Sequence, residues 1–360
     1  MIPMSWHTMC CPSYNVQLEF EMNQDLVAQA VAEHFRATKG KAKPVTPAPV
    51  VKLAPAEGQT MFSEVFGYTP KTGDFPVTVM PDNADTKRFV PHVDASYVVQ
   101  KREAALLVAA IEDNDKTLIT GPTGSGKSSL VKYVCAKLNR PFIRVNMSGD
   151  IESSSIFGTL VVRGGATVWE DGAITEAVKL GAVCLIDEWE LMPAEIAMGM
   201  QNLLEDDGYL YLKEKPGTSD DRMHVPHEAF RLVFAGNTVG QGDTTGAFSG
   251  VGVQNTATID RFTTSIELGY LDTEHEVSIL TSKLAVEAST ARNMVQVAGL
   301  IRNAYQQGKI GLTMSPRTLL SWGKKLARYN PSTAFEVSYA CKLVADDKQA
   351  AQEFFTKVFG

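Results

Sequence analysis

The sequence is poor in the features that mark secreted and membrane-spanning proteins. It has five cysteines in 360 residues and no C-x-x-C pair, and two of them, Cys135 and Cys184, lie inside apolar runs. Buried, reduced thiols suit this pattern better than disulfides do. No apolar run is long enough to cross a bilayer, and the first residues lack the charged and apolar regions of a signal peptide. We therefore expect a cytoplasmic protein without a membrane span.

An excess of positive charge is also missing. The 34 Lys and Arg residues face 41 Asp and Glu residues, which gives a net charge of −7. This balance argues against nucleic acid and against an anionic membrane as the partner. One local exception is the basic, acid-free stretch at residues 36–52. We predict a solvated linker there, with contact to an anionic partner as the alternative.

The chain divides by its residue pattern into four parts. Residues 1–60 hold a helical pattern and then a linker rich in Pro, Ala and Lys, and residues 61–100 form a small segment with aromatic and turn residues. From 101 to about 270, β-rich runs alternate with helical ones, which predicts a parallel sheet covered by helices on both faces. Residues 271–360 are helical throughout and predict a separate helical lid.

Five short β-rich runs predict a five-stranded sheet in the α/β part: TLIT, FIRVN, AVCLID, RLVFAG and TTSIEL. Residues 158–170 and 209–225 interrupt the alternation and predict two hairpin inserts, since each centres on a strong turn signal, Gly-Gly or Pro-Gly. The first hairpin carries Trp169, and we expect this hairpin to project towards the pore or the partner face. The alternative is that Trp169 is ordinary core.

Residues 121–128, GPTGSGKS, match the phosphate-binding pattern G-x-x-x-x-G-K-[ST] between a predicted strand and a predicted helix. Its glycines let backbone N–H groups converge on phosphate oxygens at a helix N-terminus. We predict that Lys127 reaches the β- and γ-phosphates of ATP and that the Ser128 hydroxyl binds Mg²⁺. A glycine-rich turn without a ligand is the alternative. The predicted nucleotide-binding residues are Gly121, Pro122, Thr123, Gly124, Ser125, Gly126, Lys127, Ser128 and Ser129.

Two later strands end in polar side chains suited to the same site. AVCLIDEWE ends a buried run in Asp187 and Glu188, which places Asp187 beside the Mg²⁺ and lets Glu188 act as the base on the attacking water. RLVFAGN ends a third buried strand at Asn237, whose amide can orient that water against the γ-phosphate. We therefore predict that all three side chains lie near the phosphate loop.

Two arginines are candidates for contact with the phosphates from outside the sheet. Arg261 follows the glycine-rich loop 237–250, which suits insertion into a neighbouring subunit's site. The alternatives are an ion pair of Arg261 with Asp260 or Glu267 and a merely flexible surface loop. Arg317 lies at the start of a predicted lid helix, from which we expect it to reach the γ-phosphate. A surface arginine is the alternative for Arg317.

Taken together, the phosphate loop, the Asp-Glu pair, Asn237, IDRF and SPR resemble an AAA+ ATPase of the MoxR group, which carries hairpin inserts at the same places. More narrowly, SEVFGYTP, VPHVDASYVV and FAGNTVGQGDTTGAFSG resemble the CobS-like family, the small ATPase subunits of aerobic cobaltochelatase. This similarity extends over about residues 62–330. Residues 1–60 depart from the family's pattern and leave the client open.

The resemblance implies an α/β P-loop AAA+ core with a helical lid, ATP and Mg²⁺ as cofactors, and an ATP-hydrolysing ring, usually a hexamer. It implies Asn237 as sensor 1, Arg261 as arginine finger and Arg317 as sensor 2. It also implies a partner with a von Willebrand A domain and a place in a chelatase complex. Two other functions stay open, a DNA-directed motor and a nucleotide-dependent scaffold without catalysis. The acidic balance weighs against the first, and the intact catalytic set weighs against the second.

Overall fold

The computed structural model describes residues 54–94, 97–240 and 254–360. The predicted N-terminal helix, the basic linker and most of the glycine-rich loop lie outside the described residues. Among the described residues, no helix combines the length and the apolar composition that crossing a bilayer requires.

Eleven strands occur in the described residues, and in chain order they are β1 (Thr60–Met61), β2 (Pro76–Val77), β3 (Thr117–Thr120), β4 (Phe142–Asn146), β5 (Gly158–Arg163), β6 (Ala166–Asp171), β7 (Val183–Asp187), β8 (Leu210–Tyr211), β9 (Met223–His224), β10 (Arg231–Gly236) and β11 (Thr264–Glu267). The α-helices of the described residues are α1 (Phe62–Phe66), α2 (Lys101–Glu112), α3 (Lys127–Lys137), α4 (Ser153–Phe157), α5 (Ala173–Leu180), α6 (Ala194–Met200), α7 (Ser219–Arg222), α8 (Thr256–Asp260), α9 (Thr273–Leu284), α10 (Ala288–Gln306), α11 (Pro316–Lys325), α12 (Pro331–Ser338) and α13 (Ala345–Phe359).

The central sheet has five parallel strands in the order β11-β3-β10-β7-β4. Alternate residues of β7 enter two different cores: Val183 and Leu185 pack on one face, Cys184 and Ile186 on the other. Helices α2 and α3 cover the first face, and α5 and α6 cover the second. Burial on both faces explains why β7 and β10 read as continuous apolar runs, whereas the edge strands β4 and β11 contain exposed polar residues. The predicted α/β fold with a five-stranded parallel sheet is confirmed.

Both predicted hairpin inserts form. Strands β5 and β6 pair antiparallel, with Leu160 opposite Trp169, and β8 pairs with β9. Trp169 packs against the apolar core of the second sheet face, and a Cβ on Gly158 would lie 2.5 Å from its ring. Val162 near the tip is 75% exposed. The structure therefore favours the core interpretation of Trp169, and Val162 is the most exposed of the hairpin's apolar residues.

Helices α9 to α13 form the lid around a separate apolar core that includes Trp322 and Phe335, whose ring centroids lie 5.0 Å apart. The lid also buries an ion pair, in which both terminal nitrogens of Arg302 lie 2.8 Å from the Glu276 carboxylate oxygens. Two hydrogen bonds to one carboxylate fix the relative orientation of α9 and α10. The lid is thus a packed helical unit and not an extension of the sheet.

Candidate active site

The site lies at the carboxyl edge of the sheet because three neighbouring parallel strands end there. Strand β3 leads through residues 121–126 into α3, β7 ends at Asp187, and β10 leads into Asn237. Since β3, β10 and β7 are adjacent in that order, their C-terminal residues are brought together. The carboxyl ends of strands in open α/β sheets are the usual place for ligands.

Two glycines of the phosphate loop sit where a side chain would collide with its surroundings. Gly121 has φ +152°, and a Cβ there would lie 2.1 Å from the carbonyl oxygen of Leu268. Gly124 has φ +77°, and a Cβ would lie 2.8 Å from Cβ of Ser315 in the lid. The loop is therefore held between the end of the sheet and the start of α11.

Lys127 is buried at the first turn of α3. Its Nζ donates to the carbonyl oxygen of Gly121 at 2.7 Å and to Oδ1 of Asn237 at 2.9 Å. Burial lowers the pKa of this ammonium group, while Glu188 and Asp187 act in the opposite direction. Asn237, which directly follows β10, is thus hydrogen-bonded to the phosphate loop.

Ser128 and Asp187 meet as the sequence predicts. The Ser128 hydroxyl donates to Oδ2 of Asp187 at 2.5 Å. A hydroxyl and a carboxylate oxygen in contact make a set of hard oxygen donors, which fits Mg²⁺. The same Asp187 oxygen lies 2.6 Å from Nη2 of Arg144, a residue that the sequence analysis did not single out.

Glu188 has backbone angles of φ 54° and ψ 42°, in the left-handed region. A residue other than glycine rarely adopts this conformation, and functional sites are where such strain accumulates. Its Oε2 accepts a hydrogen bond from Nδ2 of Asn237 at 3.2 Å. Burial raises the pKa of the Glu188 carboxyl, and the nearby Glu190 and Asp187 raise it further. A carboxylate with a raised pKa is a better proton acceptor than a solvated one.

Glu190 is a second residue that sequence reasoning missed. It is buried, and its Oε1 accepts from the backbone N–H of Asn237 at 2.5 Å and of Thr238 at 3.3 Å. A Cβ on Gly236 would lie 2.1 Å from Oε2 of Glu190, so the end of β10 is shaped to admit this carboxylate. The sequence feature that could have indicated Glu190 is its place as the third acidic residue in the run DEWE.

One cavity of about 440 Å³ is lined by the polar side chains of Lys127, Ser128, Arg144, Asp187, Glu188 and Asn237. Arg317 of α11 lines it as well, together with the apolar lid residues Ile279 and Leu320 and with Tyr97 and Val98 from the N-terminal segment. The polar end can hold a polyphosphate, and the apolar walls can enclose a planar base. The lid therefore contributes to the same site as the phosphate loop.

Arg261 is not brought to this cavity. Its Nε lies 2.7 Å from Oε1 of Glu205, and its Nη1 donates to the carbonyl oxygen of Ala257 at 2.7 Å. An ion pair does form within the chain, but with Glu205 and not with the predicted Asp260 or Glu267. Of the predicted site residues, Arg261 alone is held elsewhere on the described surface.

Comparison with known proteins agrees with this architecture. Residues 116–262 match an AAA domain of the dynein-related subfamily, and residues 276–355 match the CbbQ/NirQ/NorQ C-terminal domain. The chain is 30% identical over 282 residues to aerobic cobaltochelatase subunit CobS of Sinorhizobium sp, covering 76% of this chain and 83% of that protein.

Two further relatives have different names. The chain is 29% identical over 217 residues to protein NorQ of Paracoccus denitrificans, covering 58% of this chain and 73% of that one. It is 24% identical over 265 residues to von Willebrand factor A domain-containing protein 8 of Mus musculus, covering 70% of this chain and 13% of that much longer protein. The matching region therefore recurs in proteins of different names and lengths.

Proposed function

The chain belongs to the AAA+ ATPases of the CobS, NorQ and CbbQ family, and from this premise we propose that it is a ring-forming motor that uses ATP hydrolysis to remodel a protein partner. Nucleotide binding and ATP hydrolysis follow from the family. The ring, the Mg²⁺, the residue roles and the partner are our proposal.

The observation that carries the proposal is the continuous polar chain across the sheet edge. Lys127 contacts Asn237, and Asn237 contacts Glu188, so the phosphate loop, the sensor and the base share one hydrogen-bonded arrangement. In this proposal Lys127 binds the β- and γ-phosphates, and Ser128 and Asp187 would hold a Mg²⁺ ion, whose charge would offset that of the phosphate oxygens. Glu188 accepts the proton of the attacking water, and Asn237 orients that water molecule.

Two arginines complete the proposed site from different directions. Arg317 lines the cavity from α11 and reaches the γ-phosphate within the same subunit. Arg261 lies away from its own cavity, which is the placement expected of a group that acts on a neighbour. An arginine supplied across a subunit boundary stabilises the charge of the transition state. The proposed assembly is a homo-oligomeric ring, most simply a hexamer.

The proposed partner bears a von Willebrand A domain. This rests on the family, in which one relative carries that domain in its name. We propose a CobS-like role for the motor, which acts on the partner and holds no cobalt itself. No group of three or more His, Cys, Asp or Glu side chains that could hold a metal occurs in the described residues. The buried thiols of Cys135 and Cys184 favour a reducing, cytoplasmic location.

The test is ATP-dependent assembly and turnover of the full chain. Glu188→Gln removes the base but keeps Asp187, so we expect it to bind ATP, form rings in sedimentation velocity and hydrolyse about 10²–10⁴-fold more slowly. The unmodified chain should hydrolyse ATP, faster when a purified von Willebrand A-domain protein from the same source is added. Normal turnover by Glu188→Gln would remove Glu188 from the proposal, and a monomer at every ATP concentration would remove the ring.

A further inference from the structure

Arg144 lies in the site, but none of the roles assigned above uses it. It belongs to the edge strand β4, where Ile143 and Val145 are buried and Arg144 faces outward. The register sets Asn146 of β4 opposite Asp187 of β7, so Arg144 lies two residues before that pair. Its side chain is 49% exposed, whereas that of Asp187 is 4% exposed. A long, half-exposed side chain therefore reaches over the strand end to a buried carboxylate.

Arg144 contacts the same Asp187 oxygen as Ser128, the other proposed Mg²⁺ ligand. Oδ2 of Asp187 receives both the Ser128 hydroxyl at 2.5 Å and Nη2 of Arg144 at 2.6 Å. Mg²⁺ binds its oxygen ligands at about 2.0–2.1 Å and requires near-octahedral geometry. A guanidinium on the same oxygen blocks one approach to it, and two cations on one buried carboxylate repel each other.

Other cationic side chains near the cavity contact groups other than Asp187. Lys127 is tied to Gly121 and Asn237, and Arg317 enters from the lid. Within the described ranges, Arg144 is the one basic residue that forms an ion pair with Asp187. Because Arg144 also lines the cavity, it can leave Asp187 without leaving the site.

We propose that Arg144 is a positioning residue that neutralises Asp187 and aims it at Ser128 in the absence of Mg²⁺, and that it competes with Mg²⁺ for that carboxylate. The inference rests on the proposed Mg²⁺ role of Ser128 and Asp187. It explains how a buried acid next to the phosphate loop is kept from repelling an incoming polyphosphate. Mg²⁺ binding then releases the guanidinium within the cavity.

The test measures binding of a fluorescent ADP analogue to the full chain in EDTA and across a Mg²⁺ titration. Arg144→Gln should weaken binding in EDTA about threefold to tenfold, because Asp187 is left unneutralised. The same variant should lower the Mg²⁺ concentration at half-maximal binding by a similar factor, because a competitor is gone. Arg144→Lys keeps the charge and should restore both values towards those of the unmodified chain.

The matched control is Arg163→Gln, which removes an exposed arginine that pairs with Glu170 on the first hairpin. It should change neither value. Unchanged binding in EDTA and an unchanged Mg²⁺ midpoint in Arg144→Gln would overturn the inference, provided that the unmodified chain responds to Mg²⁺. Asp187→Asn separates the two proposals: if it leaves the Mg²⁺ response intact, the proposed Mg²⁺ site itself fails. Melting temperatures identify any variant that does not fold.

Discussion

At the scale of single residues, the site depends on a few buried side chains that contact one another. Lys127 illustrates this, since its ammonium group is the cation of the phosphate loop and also holds Asn237 at 2.9 Å. Removing it would take away the proposed phosphate contact and the hydrogen bond that links Asn237 to the loop. Loss of Lys127 should therefore weaken nucleotide binding first and lower the rate of ATP hydrolysis as a consequence.

We expect Lys127→Ala to abolish nucleotide binding within the range of titration calorimetry. Lys132→Ala is the matched control, because Lys132 lies on the same helix and is exposed. It should bind ATP as the unmodified chain does. Unchanged ATP affinity in Lys127→Ala would show that Lys127 does not contact the phosphates.

Glu190 allows a prediction about stability rather than chemistry. Glu190→Ala removes the acceptor of two part-buried backbone N–H groups that follow β10, those of Asn237 and Thr238. Hydrogen bonds to a charged group and the cost of an unsatisfied donor together predict a loss of about 2–4 kcal/mol in the free energy of unfolding. Urea denaturation measures this loss.

Glu195→Ala serves as its control, since Glu195 is exposed on α6. Its free energy of unfolding should stay within about 0.5 kcal/mol of the unmodified chain. An equally small change in Glu190→Ala would mean that water or another donor replaces the lost contacts.

At the scale of elements, much of the fold is encoded in local patterns. Strands β3, β4 and β10 match the runs TLIT, FIRVN and RLVFAG residue for residue. Burial on both faces selects apolar segments such as β3 and β10, whereas the edge strand β4 alternates buried and exposed residues. The phosphate loop was predictable for a different reason: its glycines and lysine are required at fixed spacing by the ligand.

Other features were not predictable because they depend on contacts distant in sequence. Arg144 pairs with a residue 43 positions away, and no local pattern distinguishes it from an ordinary strand residue. Arg261 pairs with Glu205, which is 56 positions away, although two nearer acids were available. Trp169 packs over Gly158, a glycine that leaves room for the ring, and this contact decides for the core alternative that the sequence left open.

The first hairpin can be shortened without removing the packing of Trp169 over Gly158. Replacing residues 161–168 by Asn-Gly connects Leu160 to Trp169 through a two-residue turn, and these two residues already pair across the hairpin. We expect the melting temperature and the basal ATPase rate to change little, and stimulation by the partner to fall, because the exposed tip with Val162 is gone.

The control is Trp169→Ala in the full-length hairpin, which should lower the melting temperature by removing the ring from the core. Full stimulation by the partner after the tip is removed would show that the partner binds elsewhere.

At the scale of the whole molecule, the lid and the phosphate loop are linked within one chain. The Tyr270 hydroxyl donates to the carbonyl oxygen of Thr123 at 3.2 Å, and the Arg302 guanidinium lies 4.2 Å from the centroid of the Tyr270 ring. Arg302 in turn holds Glu276 in the buried ion pair of the lid. Changes at the phosphate loop therefore have a direct physical route to the lid and, in the proposed ring, from there to a neighbouring subunit.

In the proposed ring, neighbouring subunits share each active site. Mixing two inactive variants tests this sharing most directly. Arg261→Ala should still bind ATP but hydrolyse it about 10³–10⁵-fold more slowly, and Lys127→Ala should bind none. In rings mixed at equal amounts, about a quarter of the interfaces pair an intact phosphate loop with an intact Arg261. ATPase activity should then reappear and rise with protein concentration, whereas Arg261→Ala mixed with the Lys127→Ala, Arg261→Ala double variant should stay inactive. If mixed rings form and the first mixture is as inactive as its parents, Arg261 does not act across the interface.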